Sequence, residues 1–195
     1  GPVSIQALQI LEGMDLKSMG HNSADYIHAV LCSLSLAFSD REAYYGDPDF
    51  VDVPIQGLLS KSFAEERRNK IDMLKAFGEM PEAGDPWRHQ NMDAPNGIPG
   101  RPVPVSGGLQ GDTSYTAVVD QWGNAFSATP SDTIAYNPIV PGLGFIVSGR
   151  GSQSWLDHKH PSSLQGGKRP RLTPNPALAM KDGKVMMPFG TPGGD

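Results

Sequence analysis

The sequence has too little cysteine for a disulfide framework, no apolar run long enough for a helical membrane span, and too few clustered basic residues for a nucleic-acid surface. Its single cysteine, Cys32, permits no intrachain disulfide and no Cys-X-X-Cys metal site. That residue lies inside the apolar pattern "YIHAVLCSLSLAF", where a buried helical thiol is expected. No stretch approaches the roughly 18 apolar residues that a membrane-spanning helix needs, so no membrane partner is expected. The 16 Lys and Arg residues are scattered among 21 Asp and Glu, giving a net charge of −5 and no basic stripe for nucleic acid. A small neutral or anionic substrate stays open. The chain starts "GPVSIQ" without a Met or a charged leader and stops on "TPGGD", and is read as a piece of a longer protein, so a leader's absence says nothing of compartment.

Across its 195 residues, 38% are hydrophobic, enough for a sizeable core. Ile5, Leu8, Leu11 and Met14 recur every three residues, and Tyr26, Ile27, Val30, Leu31, Leu34 and Phe38 follow helical spacing. Two core-facing helices are expected, over 4–14 and 23–38. "YYGDPDFVDVPIQGLLS" is punctuated by Gly and Pro and reads as a loop. Ser62 and Glu65 have the spacing of a capping box, with a third helix over "FAEERRNKIDMLKAF". Residues 1–77 thus form a helical part. From 78 to 112 Pro and Gly crowd the chain and aliphatic periodicity disappears, which predicts a flexible linker. From 113 to 195 the pattern turns to β: "YTAVVD" and "NAFSAT" as one hairpin, "GLGFIV" as a strand, and a second hairpin turning on Asp182-Gly183, a type I′ pair. Helices followed by hairpins indicate an α+β layered domain.

The first hairpin opens abruptly on Thr113, after "GGLQGD". A threonine hydroxyl is a poor nucleophile unless a base adjoins it, and a threonine at a chain N-terminus carries its own: an α-amine of pKa about 7.7–8.0. A cut before Thr113 would create that terminus on a rigid strand. A β-branched residue at a strand start is the plainer explanation of Thr113 taken alone.

The string "GDTSYTAVVDQWGNAFSATPSD", with "AFSDREAYYGDPDFVDVPIQGLLSKSFAEERR" upstream and "GKRPRLTPNPALAMKDGK" and "GTPGGD" downstream, resembles the γ-glutamyltransferase family of N-terminal-nucleophile hydrolases. The resemblance implies an αββα sandwich, only partly covered by this chain, and a precursor that cleaves itself between Asp112 and Thr113 into large and small subunits that stay associated. It implies acyl transfer from a small amide substrate, γ-glutamyl or similar, by Thr113, with backbone N–H groups of Gly193 and Gly194 on the developing oxyanion. Ser131 matches a second hydroxyl that supports the nucleophile, and Thr133 matches a substrate-contacting position. No cofactor is implied.

The resemblance breaks at "GFIVSGRGSQSW". The family has Glu or Gln where Arg150 stands and an aspartate, which holds a substrate α-amine, where Gln153 stands. A serine pair that helps bind the substrate α-carboxylate is replaced by Leu172 and Thr173. These changes point away from glutathione and toward an acyl group bearing a carboxylate, read by Arg150 through its planar fork, with oxamate amidohydrolases and glutaryl-type acylases as the implied branches. A solvated loop charge accounts for Arg150 equally well. No metal is assigned: His158 and His160 lack a third ligand at suitable spacing, and turn duty explains Asp47, Asp49 and Asp52. The alternative reading is an incomplete or non-catalytic homologue that folds or binds without turnover.

Overall fold

A computed structural model describes residues 1–95, 113–132 and 137–192. These divide into two compact units, one from residues 2–95 with Lys159–Pro161, the other from residues 113–132, 137–158 and 162–192 with Gly1.

The first unit is helical: α1 (Pro2–Glu12), α2 (Leu16–Met19), α3 (Ala24–Tyr44), α4 (Ile55–Leu58) and α5 (Lys61–Arg68). Ser23 caps α3 by accepting from the Tyr26 N–H at 3.1 Å, which satisfies a donor the helix cannot reach. Both long helices form where the apolar spacing puts them, but their buried faces differ from the expected ones. On α1, Gln6, Ala7, Ile10 and Leu11 are buried, while Ile5 and Leu8 are exposed. On α3 the buried stripe is Ala29, Cys32, Ser33, Leu36, Ala37 and Asp40, and Ile27 and Leu31 are exposed. The buried faces mix Ala and Ser with Ile10, Leu11 and Leu36, while other large apolar residues face outward. Ala and Ser let helix backbones approach closely, and Ser33 satisfies its own hydroxyl on the Ala29 carbonyl at 2.8 Å.

Three local expectations need correction. Ser60 caps α5, accepting from the Phe63 N–H at 3.1 Å, while the Ser62 hydroxyl bonds the His89 imidazole at 2.8 Å. The helix stops at Arg68 rather than continuing to Phe77, because Asp72 accepts from the Leu74 N–H at 2.9 Å in a local turn that competes with helix. Ile71 and Phe77 pack instead against the cluster of Ile10, Leu36 and Ala64. The expected loop before α5 contains the single turn α4, whose Leu58 is fully buried with Tyr44, Phe63 and Trp87.

The expectation of a flexible linker from residue 78 also needs correction for residues 78–95. Residues 78–95 are tied to the helices by polar contacts: Ser39 to the Pro81 carbonyl (2.7 Å), Tyr44 to the Gly84 carbonyl (2.6 Å), and Arg67 to the Glu82 carbonyl (2.9 Å). Asp40 accepts from the Gly84 N–H at 2.8 Å and pairs with Arg67 at 3.1 Å, both side chains nearly inaccessible. Trp87, in a 3₁₀ turn over Trp87–Gln90, is buried. Side chains of the helices, rather than aliphatic side chains of the segment, hold it. Its remainder, 96–112, lies outside the described residues.

The second unit carries two antiparallel two-stranded sheets, β1 (Thr116–Val119) with β2 (Ala125–Ala128), and β3 (Ala177–Lys181) with β4 (Lys184–Phe189). Asp120 closes the first hairpin, accepting from the Trp122 and Asn124 N–H groups at 2.9 Å each. Asp182 and Gly183 have φ of 50° and 73°, the two positive values that a type I′ turn requires. "GLGFIV" is no strand but a single bridge, Ile139 with Ile146, because Gly142 and Gly144 at φ 80° and 72° leave the extended region. The helices and hairpins make the chain α+β.

Candidate active site

Thr113 is held by the continuation of the first hairpin. Beyond the Thr116–Ala128 pair the strands stay in register, since the Ser114 N–H donates to the Pro130 carbonyl at 2.9 Å. This brings Thr113 opposite Ser131, and their hydroxyl oxygens lie 2.6 Å apart. That is the short end of the O–H···O range. Behind the hairpin, the Tyr115 hydroxyl bonds Ser127 Oγ at 3.0 Å, and Ser127 Oγ reaches the Phe189 carbonyl of β4 at 3.3 Å, linking the two hairpins.

Arg150 is the second centre. It sits in a 3₁₀ turn, Gly149–Gln153, capped by Ser148, whose Oγ accepts from the Arg150 N–H and donates to Asp132 Oδ1 at 3.0 Å. The Arg150 side chain is 17% exposed, too enclosed for a solvated loop charge. Nη2 donates to the Ser131 carbonyl at 3.0 Å, Nη1 to Thr173 Oγ1 at 3.2 Å, and Nε faces Asp132 Oδ1 at 3.7 Å. The Gln153 amide satisfies both its ends when its oxygen accepts from Arg150 Nη1 at 3.0 Å and its nitrogen donates to the Arg171 carbonyl. Arg171 stacks over the Trp155 ring, 4.5 Å from its centroid.

Of the residues the sequence singles out, Thr113, Ser131, Arg150, Gln153 and Thr173 form one connected group. Asp112, Thr133, Gly193 and Gly194 lie outside the described residues. Asp47 Oδ1 accepts from the Asp49 N–H at 3.1 Å, a turn contact. Among the described residues no three His, Cys, Asp or Glu side chains gather to hold a metal ion. Among them, too, no helix is long and apolar enough to cross a membrane. Cys32 is buried in α3, which pushes its thiol pKa up. Two members of the group escape sequence reasoning, Asp132 and Ser148. The available signal was adjacency: Asp132 follows Ser131 directly, and Ser148 stands two residues before Arg150.

The α+β element order and the likeness to a solved acylase give the chain the fold of the N-terminal-nucleophile hydrolase class. The family model for gamma-glutamyltranspeptidase matches residues 1–195, and the chain belongs to that family. It is 30% identical over 192 residues to a glutathione hydrolase proenzyme of Bacillus subtilis subsp. natto, covering 97% of this chain and 32% of that protein. It is 33% identical over 193 residues to the Acylase ACY 1 proenzyme of Pseudomonas sp. (strain SE83), covering 96% and 30%. Among solved structures, the cephalosporin acylase from Bacillus halodurans superposes with a TM-score of 0.68 at 25% identity, covering 96% of this chain and 30% of that one. The chain therefore spans about a third of the length of these relatives.

Proposed function

We propose that the full-length protein is a self-processing amidohydrolase or acyltransferase whose nucleophile is Thr113. The observation that carries this reading is the 2.6 Å contact between the Thr113 and Ser131 hydroxyls at the mouth of a rigid hairpin. The proenzyme relatives support a precursor that is cut.

In the first reaction, Thr113 Oγ attacks the Asp112 carbonyl carbon and the peptide C–N bond breaks. The acyl group moves to oxygen and the freed nitrogen takes the hydroxyl proton. Water then hydrolyses that ester, leaving Asp112 as the carboxylate end of a large subunit and Thr113 as the amino end of a small one. The two remain associated. In the second reaction the new α-amine accepts the Oγ proton as Oγ attacks a substrate amide, and passes it to the departing amine. An ester-linked acyl-enzyme results, which water or an acceptor amine resolves. Ser131 holds the Thr113 oxygen in line, and the Gly193 and Gly194 N–H groups stabilise the oxyanion, glycine there allowing the backbone close approach. No cofactor enters either reaction.

The acyl group is a small one bearing a carboxylate. With Gln153 where the family carries aspartate, a substrate α-amine loses its anionic partner. The acylase relatives support this shift away from a γ-glutamyl group. Denaturing electrophoresis of the full-length protein tests the nucleophile. Wild type is expected to split at Asp112–Thr113 and Thr113→Ala to remain one band; a cleaved or active Thr113→Ala variant would overturn the reading. Turnover of glutaryl and oxamate-like anilides faster than γ-glutamyl anilide tests the acyl group.

A further inference from the structure

A clamp for a substrate carboxylate needs two adjacent N–H groups of Arg150 directed at open space. Among the described residues each of the guanidinium's three nitrogens already faces an acceptor of the chain. The edge carrying Nε and Nη2 faces Asp132 Oδ1 and the Ser131 carbonyl, and Nη1 faces Thr173 Oγ1 and Gln153. An incoming carboxylate would meet Asp132, already an anion, on one side and two neutral side chains on the other. What the guanidinium grips instead is the stretch Ser131–Asp132: the carbonyl of the first residue and the carboxylate of the second. The Ser148 hydroxyl donates to the same carboxylate oxygen at 3.0 Å.

We propose that Arg150 is a positioning residue, which pins the Ser131–Asp132 backbone so that Ser131 Oγ stays on Thr113 Oγ1, and that it does not bind the substrate. The proposal rests on Thr113 being the nucleophile. Its physical basis is that Ser131 stands past the end of β2, beyond the Ser114–Pro130 contact, which is the last ladder bond among the described residues, and a hydroxyl there gains from a further anchor in holding a 2.6 Å contact. Thr173 and Gln153 complete the anchor by orienting the guanidinium. On this view the acyl-group preference resides in other residues, and the Arg in place of the family's Glu or Gln changes how the nucleophile is braced.

Self-cleavage separates bracing from substrate binding because it uses Thr113 Oγ and no external substrate. The test follows band splitting of the full-length precursor carrying Arg150→Gln or Arg150→Lys. Arg150→Gln is expected to slow splitting about tenfold or more, one lost charge-assisted bond to the Ser131 carbonyl, and Arg150→Lys to restore part of the rate. In the processed enzyme, kcat for glutaryl p-nitroanilide should fall while KM moves less than about twofold. Unchanged splitting with a raised KM would overturn the proposal in favour of a substrate clamp. To exclude misfolding, the same substitutions are made in the Thr113→Ala precursor, which should keep its melting temperature. If Arg150→Gln unfolds there, Thr173→Ala and Gln153→Ala, which remove the guanidinium's other anchors, must slow splitting instead; wild-type rates in both would overturn it. Failure of the wild-type precursor to split would sink the nucleophile assignment itself, a separate outcome.

Discussion

Replacing Ser131 by alanine removes one hydroxyl and, from the structure, one contact of consequence: the 2.6 Å bond to Thr113 Oγ1. In the resting precursor this is a neutral hydrogen bond, worth about 0.5–1.5 kcal/mol net. As Thr113 gives up its proton and attacks, its oxygen gathers negative charge and the bond becomes charge-assisted, worth about 1.5–3 kcal/mol. Only the difference accelerates a unimolecular step, about 0.5–2 kcal/mol, so self-cleavage of Ser131→Ala should run about 2-fold to 30-fold slower. For an external amide the bond is likewise already made in the free enzyme, so kcat/KM registers the same difference and should also fall about 2-fold to 30-fold. Ser131→Thr keeps the hydroxyl and should stay near wild type in both. Band splitting measures the first rate and anilide release the second. Splitting of Ser131→Ala at the wild-type rate, or Ser131→Thr as slow as Ser131→Ala, would refute the reasoning that the pair acts as a unit.

Arg67→Met should destabilise the protein by about 3–5 kcal/mol, because it leaves Asp40 buried without its cation, and a melting curve shifted by only a degree or two would contradict that. Burial lifts the Asp40 carboxyl to about 6, opposed by Arg67, the Gly84 N–H and Gln6, so between pH 4 and 6 the folded state keeps a proton that the unfolded chain releases. The Asp40 contribution is therefore most favourable below pH about 4, falls as pH rises through 6 and is flat above. The melting temperature of wild type relative to Asp40→Asn should trace that fall, and parallel pH profiles would exclude it. Gly190→Val should lower stability by about 1–3 kcal/mol and slow splitting, since a Cβ at Gly190 would meet the Tyr115 ring at 2.7 Å, two residues from Thr113; unaltered melting and splitting would show that the hairpins adjust freely.

Much of the site could be read from residue order, for a local reason. Thr113 and Ser131 sit on two strands joined by a tight turn, and once "YTAVVD" and "NAFSAT" pair across "QWG" the geometry of a hairpin brings their flanks together. The Asp182-Gly183 turn was legible likewise, because positive φ at both positions suits few residue pairs. The helix faces were not. Apolar spacing identifies a stripe of large residues, but on α1 and α3 that stripe includes the exposed Ile5, Leu8, Ile27 and Leu31, while the inner faces combine Ile10, Leu11 and Leu36 with Ala, Ser and the ion-paired Asp40. Periodicity records where hydrophobic groups are, not which surface another element covers. Residues 78–95 were misread for a related reason, being fastened by side chains that lie as much as 44 positions earlier in the chain.

The amino-acid sequence by itself determined the α+β order, the hairpin that presents Thr113, the hydroxyl opposite it and the kinship with the gamma-glutamyltranspeptidase family, since each rests on residues near one another or on a run of matching strings. Only the tertiary structure decided which groups surround Arg150. Its partners come from residues 131, 132, 153 and 173, which lie apart in the chain and meet at one guanidinium only through the fold, and this is what favours the proposed brace over a clamp.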